Sequence, residues 1–186
     1  APIELNDPEW REGEATRPTG RAPIPAARAV AFDQARLEAW LAEAPEEWNA
    51  STRQGTRLTD SPLRLTLPIP DEQSALGWSQ VAFRVVRSNV MEAPLAKKYP
   101  HISSYLIQSE RDGGVTGRMD LGDHGFHAII HTRQGAVYID PWQRGVDNQL
   151  MVYTRKEFMA STSKRRLDCD ALPMGLGHKK GEGDAC

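Results

Sequence analysis

The sequence predicts a β-dominated α+β domain: an antiparallel sheet or sandwich of about seven to eight short strands with one main helix and flexible N- and C-terminal tails. Three observations carry that expectation. Apolar and polar residues alternate at a period of two in segment after segment between Leu63 and Ile139. Only 34–44 shows sustained helical spacing. The links between alternating segments are short, which suits antiparallel hairpins and leaves no room for parallel crossovers.

Residues 1–27 are proline-rich, and Ile3, Leu5, Trp10 and Ile24 follow no period, so they read as an extended arm, disordered or lying on something. Ala29 to Phe32 form a short strand. Asp33 suits an N-cap because its carboxylate can accept from the unpaired amides of a first helical turn. In 34–44, Ala35, Leu37, Trp40, Leu41 and Ala44 share one face, and Pro45 stops the helix. Residues 46–61 are polar and turn-like.

Leu63, Leu65 and Leu67 alternate with Arg64 and Thr66 before Pro68 and Pro70 intervene. Val81, Phe83 and Val85 mark a strand over 79–87. MEAPLAKKYP (91–100) suits one or two helical turns, with Pro94 tolerated in the first turn and Pro100 as the stop. Ile102–Gln108, Val115–Leu121 and Gly125–Thr132 read as strands. Arg133-Gln134-Gly135 then turns the chain back into Ala136–Ile139. Met151 to Thr154 form a last strand and Lys156–Ala160 a helical turn. From Ser161 the chain is polar, basic and glycine-rich, the composition of a flexible tail.

A formal charge of −2 gives no electrostatic case for nucleic acid or an anionic membrane. No apolar run approaches the ~18 residues of a membrane span. The chain starts APIEL without a Met, which suits removal of a signal peptide and equally a cloning boundary.

His127 and His131 have the i, i+4 spacing of a helical zinc site, but Ala128 stands where H-E-x-x-H needs its Glu. On a strand the two imidazoles share a face ~13 Å apart, too far for one metal ion. His124 stands nearby, before Gly125. Half-exposed strand histidines are the favoured reading. Asp120, Asp123 and Asp140 sit at or near turns, where Asp ordinarily caps local amides. Trp40 belongs to the helix's apolar face, and Trp78 and Trp142 stand at strand ends where an indole covers a sheet edge. Lys164-Arg165-Arg166 is a solvated basic run that also suits trypsin-like or furin-like processing.

The two cysteines, Cys169 and Cys186, both lie in the last tenth of the chain. Cys169 has three open fates: a disulfide to Cys186, a free thiol, or a ligand presented to a metal on another domain. No Ser-His-Asp arrangement, nucleotide-binding glycine loop or C-x-x-C pair occurs, so the sequence holds no complete catalytic set.

FRVVRSNVMEAPLAKKYPHISSYLIQ (83–108), VTGRMDLGDHGFHAIIHTRQGAVYIDPW (115–142) and VYTRKEF (152–158) resemble the N-terminal propeptide of secreted bacterial reprolysin-like zinc metallopeptidases. RAVAFDQARLEAWLAEAP (28–45) and LRLTLPIPDE (63–72) stand in the same order as that family's opening elements. The resemblance implies a secreted or periplasmic pro-domain that assists folding of a catalytic domain and keeps it latent until cleavage. It implies no catalytic residue or bound cofactor in this chain, with the zinc on the partner metallopeptidase and neither nucleic acid nor membrane as a partner.

Cys169 occupies the place of a switch cysteine, a ligand to the partner's zinc, although animal relatives have Gly after it and here Asp170 follows. Lys164, Arg165 and Arg166 would be the processing site. The expected organisation is an arm over 1–27, a folded pro-domain over 28–160 and a tail over 161–186 holding both cysteines. The competing expectation is an independent secreted β-domain that binds a protein or carbohydrate, with Cys169–Cys186 as a structural disulfide. A third, an enzyme built on His124, His127 and Asp140, has the least support.

Overall fold

The computed structural model describes residues 8–14, 24–88, 90–99, 101–143 and 148–162. Among the described residues nine strands form one antiparallel sheet, so the sheet alternative holds and the sandwich does not. The strands are β1 (Arg11–Glu12), β2 (Arg28–Ala31), β3 (Arg64–Pro70), β4 (Trp78–Ser88), β5 (Ser103–Ser109), β6 (Thr116–Gly122), β7 (Gly125–Thr132), β8 (Gly135–Pro141) and β9 (Gln149–Thr154). Their order is β1-β2-β9-β8-β7-β6-β5-β4-β3. The sheet curls until β3 comes back near β9. The helices α1 (Gln34–Ala42), α2 (Ala93–Lys98) and α3 (Arg155–Thr162) accompany it.

The period-two pattern sets which side chains fill the curl. Phe83, Ile107, Met119, Ile130 and Ile139 point into it and are at most marginally exposed. Helix α1 adds to this core. The Asp33 carboxylate accepts from the Arg36 amide at 3.0 Å, so the cap expected from sequence forms. Leu37 and Leu41 are fully buried, whereas Ala35, assigned to the same face, is exposed. The helix ends at Ala42, two residues earlier than spacing suggested.

The strand that alternation missed is β1. Two residues are too few to show a period, yet Arg11 and Glu12 pair with Ala31 and Val30. Part of the N-terminal arm therefore lies on the sheet.

Free strand edges invite unwanted pairing, and β3 is an edge strand. Two of its outward carbonyls are occupied by indoles. Trp40 Nε1 donates to Arg64 O at 2.8 Å and Trp10 Nε1 donates to Thr66 O at 2.7 Å. Pro68 and Pro70, next along the strand, carry no amide proton to offer. Side chains thus cover the edge that β1 and β2 approach but do not pair.

A second, smaller apolar cluster sits on the outer face. Ile24, Ala29, Trp142, Met151 and Tyr153 form it, with Tyr138 packed against them. Tyr153 stacks on Tyr138 with ring centroids 5.3 Å apart and on Phe158 of α3 at 6.1 Å. The segment 24–27 thereby belongs to the folded unit too. Trp142 does cover a strand end, whereas Trp78 is drawn into the main core.

Among the described residues, no helix is long and apolar enough to cross a membrane.

Candidate functional site

Strand β7 carries His127 and His131 on the outer face, with Phe126, Ala128 and Ile130 turned inward. The strand reading of this segment holds, so the spacing of a helical zinc site does not apply. Its short turn to β8 sets the register. Ala128 faces Ile139, and one step back His127 meets Asp140. Nδ1 of His127 lies 2.7 Å from Asp140 Oδ1. The other carboxylate oxygen accepts from the Tyr153 hydroxyl at 2.5 Å. An ionised carboxylate offers only acceptors, so the His127 contact requires Nδ1–H as donor.

Three adjacent strands, β7, β8 and β9, are thereby tied through Asp140. Asp140 is more than a turn residue: it is the shared acceptor that fixes the His127 ring. Tyr153 had no place in the sequence reading, because its partner lies across a strand pairing that alternation alone does not specify. On the neighbouring strand Asp120 faces His127 in register and accepts from the Ser104 hydroxyl at 2.5 Å. This polar row crosses the outer face from β5 to β9. It can orient an imidazole, the supporting half of acid–base chemistry.

His124 stands elsewhere, exposed in the β6–β7 turn beside Asp123, whose carboxylate contacts His101 Nε2 at 3.2 Å. The structure therefore joins His127 with Asp140 and leaves His124 at the turn. Among the described residues no group of three or more His, Cys, Asp or Glu is placed to hold a metal ion. Cys169, Cys186, Lys164, Arg165 and Arg166 lie outside the described residues.

The second feature is a cleft of about 610 Å³ at one mouth of the curled sheet, a size typical of ligand pockets. Ile69, Pro70, Ala136 and Val137 give it apolar walls, and Arg28 and Glu157 cross it. Arg28 extends from β2, donating through Nε to Gly77 O at 2.9 Å and through Nη1 to Glu157 at 2.6 Å. Glu157 belongs to a capping box. Its carboxylate accepts from the Thr154 amide at 2.7 Å, and its own amide donates to the Thr154 hydroxyl at 3.2 Å. The T-x-x-E signature of 154–157 was legible in the sequence and marks the true start of α3.

Burial alone would raise the Glu157 carboxyl's pKa. The Thr154 amide, the Arg28 guanidinium and the Thr154 hydroxyl outweigh it and hold the group below its ordinary value of 4.5. Glu157 stays charged, and Arg28 stays tied across the mouth. Arg155, Lys156 and Glu72 line the same cleft.

Comparison with protein families, with curated proteins and with solved structures finds no match to this chain.

Proposed function

We propose that the chain is the pro-domain of a secreted bacterial zinc metallopeptidase, a zymogen segment that assists folding of the catalytic domain and inhibits it until proteolytic removal. One observation supports this reading above the rest. The stretches that resemble such propeptides, 83–108, 115–142 and 152–158, run through β4 to β9 and into α3, strands that are consecutive neighbours in the sheet. The resemblance thus coincides with one packed unit rather than with scattered loops. Residues 155–157 and 160 of α3, the last described element, line the cleft, the face this reading assigns to contact with the catalytic domain.

In this reading Cys169 supplies a thiolate to the partner's zinc, and Lys164, Arg165 and Arg166 form the processing site. The test adds the purified chain in trans to the mature peptidase at micromolar concentration. Inhibition is expected, and unchanged proteolysis would contradict the inhibitory role. Cys169→Ala then separates two mechanisms. Weaker inhibition assigns the block to the thiolate, and full inhibition assigns it to the folded domain.

The cleft favours a second reading, an independent secreted β-domain that binds a protein or carbohydrate there. A thiol count on the native protein separates the two. Two free thiols accord with the switch, and none accords with a Cys169–Cys186 disulfide.

A further inference from the structure

Residues 8–14 form a strap over the gap between β2 and β3, and each contact they make has a distinct chemical demand. Pro8 O accepts from the Asp33 amide at 2.9 Å. Glu9 pairs with Arg36 and holds a left-handed φ of 58°. Trp10 is buried, stacks on Phe32 with centroids 5.5 Å apart and donates to Thr66 O. Arg11 and Glu12 are paired with β2. The Gly13 amide donates to Ala29 O at 3.0 Å, and any Cβ at Gly13 would lie 2.9 Å from Val30 N.

The strap is therefore a ligand seated in a slot. On one side of the slot the open edge of β2 offers backbone pairing. On the other, the Thr66 carbonyl asks for a side-chain donor. Between them lies a ring-sized space against Phe32. Strand addition of this kind draws affinity from main-chain bonds and specificity from pockets for individual side chains.

We propose that this slot is a strand-addition site and that the strap is its resident occupant, replaceable by an extended segment of a partner polypeptide. The partner segment has the pattern acidic–Trp–x–x–Gly. The acid answers Arg36, the indole answers Thr66 O and Phe32, two extended residues pair with β2, and glycine passes Val30. Asp suits the first position better than Glu, because it keeps the charge and tolerates left-handed backbone more readily.

The resident strap is a strained copy of that ligand. Glu9 sits in the left-handed region that non-glycine residues disfavour, and the strand the strap forms against β2 is only two residues long. Both features make it displaceable. While it remains attached it competes at high effective concentration, which keeps the slot closed to weak ligands.

The experiment uses the full chain and a labelled synthetic peptide of residues 8–14, read by fluorescence anisotropy. The Trp10→Ala chain, its own ring removed, should capture the peptide at least about tenfold more tightly than the unaltered chain, in which the attached strap competes. A peptide carrying Trp10→Ala or Gly13→Val should not bind. Should Trp10→Ala cost the fold, Glu9→Lys serves in its place, since Glu9 and Arg36 are both about half exposed and the change repels the strap locally. It should raise capture by about threefold. Equal capture by variant and unaltered chains, capture that ignores the peptide's Trp and Gly, or no capture by a folded variant would overturn the proposal.

Discussion

Two kinds of seam hold this sheet together, and they differ in what they ask of the sequence. Between β6 and β7 the strands run in register over seven residue pairs, Thr116 with His131 through Gly122 with Gly125, and alternate pairs exchange backbone bonds. Across the gap between β2 and β3 the joins named here are made by side chains: Trp10 to Thr66, and Arg28 to Gly77. A ladder seam tolerates many side chains provided the alternation is kept, because the backbone supplies the bonds. A side-chain seam depends on single residues. Substitutions therefore act differently at the two places.

The largest effect is expected where a ladder is crowded. Gly117 on β6 faces the core, and a Cβ there would lie 2.4 Å from Ile129 O and 3.2 Å from Ile107 Cδ1. Gly117→Val forces β6 and β7 apart and should cost about 3 kcal/mol or more, visible as a lowered urea midpoint. Next comes the seam's main side chain. Trp10→Ala should cost about 3 kcal/mol through lost burial. Trp10→Phe, which keeps a ring but not the donor to Thr66 O, should cost about 1 kcal/mol. A Trp10→Ala chain as stable as the unaltered one would remove the distinction between the seams.

Glu157→Gln is expected to cost about 1–2 kcal/mol at neutral pH, by weakening both the Arg28 tie and the α3 cap. The pH dependence follows in sign. The folded carboxyl is held below its ordinary value, so its contribution is complete above about pH 4.5 and is lost as pH falls through the folded value. The melting-temperature gap between the unaltered chain and Glu157→Gln should therefore narrow on acidification. A gap that widened would contradict the assignment.

The smallest effect has the opposite sign. Thr66 Oγ1 is buried without a hydrogen-bond partner among the described residues, so Thr66→Val should leave stability unchanged or raise it by about 1 kcal/mol. A loss comparable to Trp10→Phe would mean that the hydroxyl belongs to the seam.

The same contrast explains what could be read from sequence. Ladder strands announce themselves locally, and Gly125–Thr132 with its return through Arg133-Gln134-Gly135 was legible from alternation and turn chemistry. So was the Asp33 cap, whose partner Arg36 is three residues away. The side-chain seam was not. Trp10 meets Thr66 across 56 residues of sequence, and nothing periodic marks Trp10 or points Thr66 toward it. The outer-face network sits between these cases. Counting back from the β7–β8 turn aligns His127 with Asp140, so that pair was recoverable, whereas Tyr153 enters only through the pairing of β8 with β9. Asp140 read as a turn residue because Asp before Pro usually is one.

The β2–β3 seam is held by side chains and by a strap that should be able to leave without the ladders unfolding. Native-state hydrogen exchange on the full chain tests it most directly. The Gly13 and Asp33 amides, bonded to Ala29 O and Pro8 O, should exchange at least about tenfold faster than the Arg118 and Ile129 amides of the β6–β7 ladder, with only weak denaturant dependence. Exchange of all four through one common opening, with the same rate and the same denaturant slope, would contradict it.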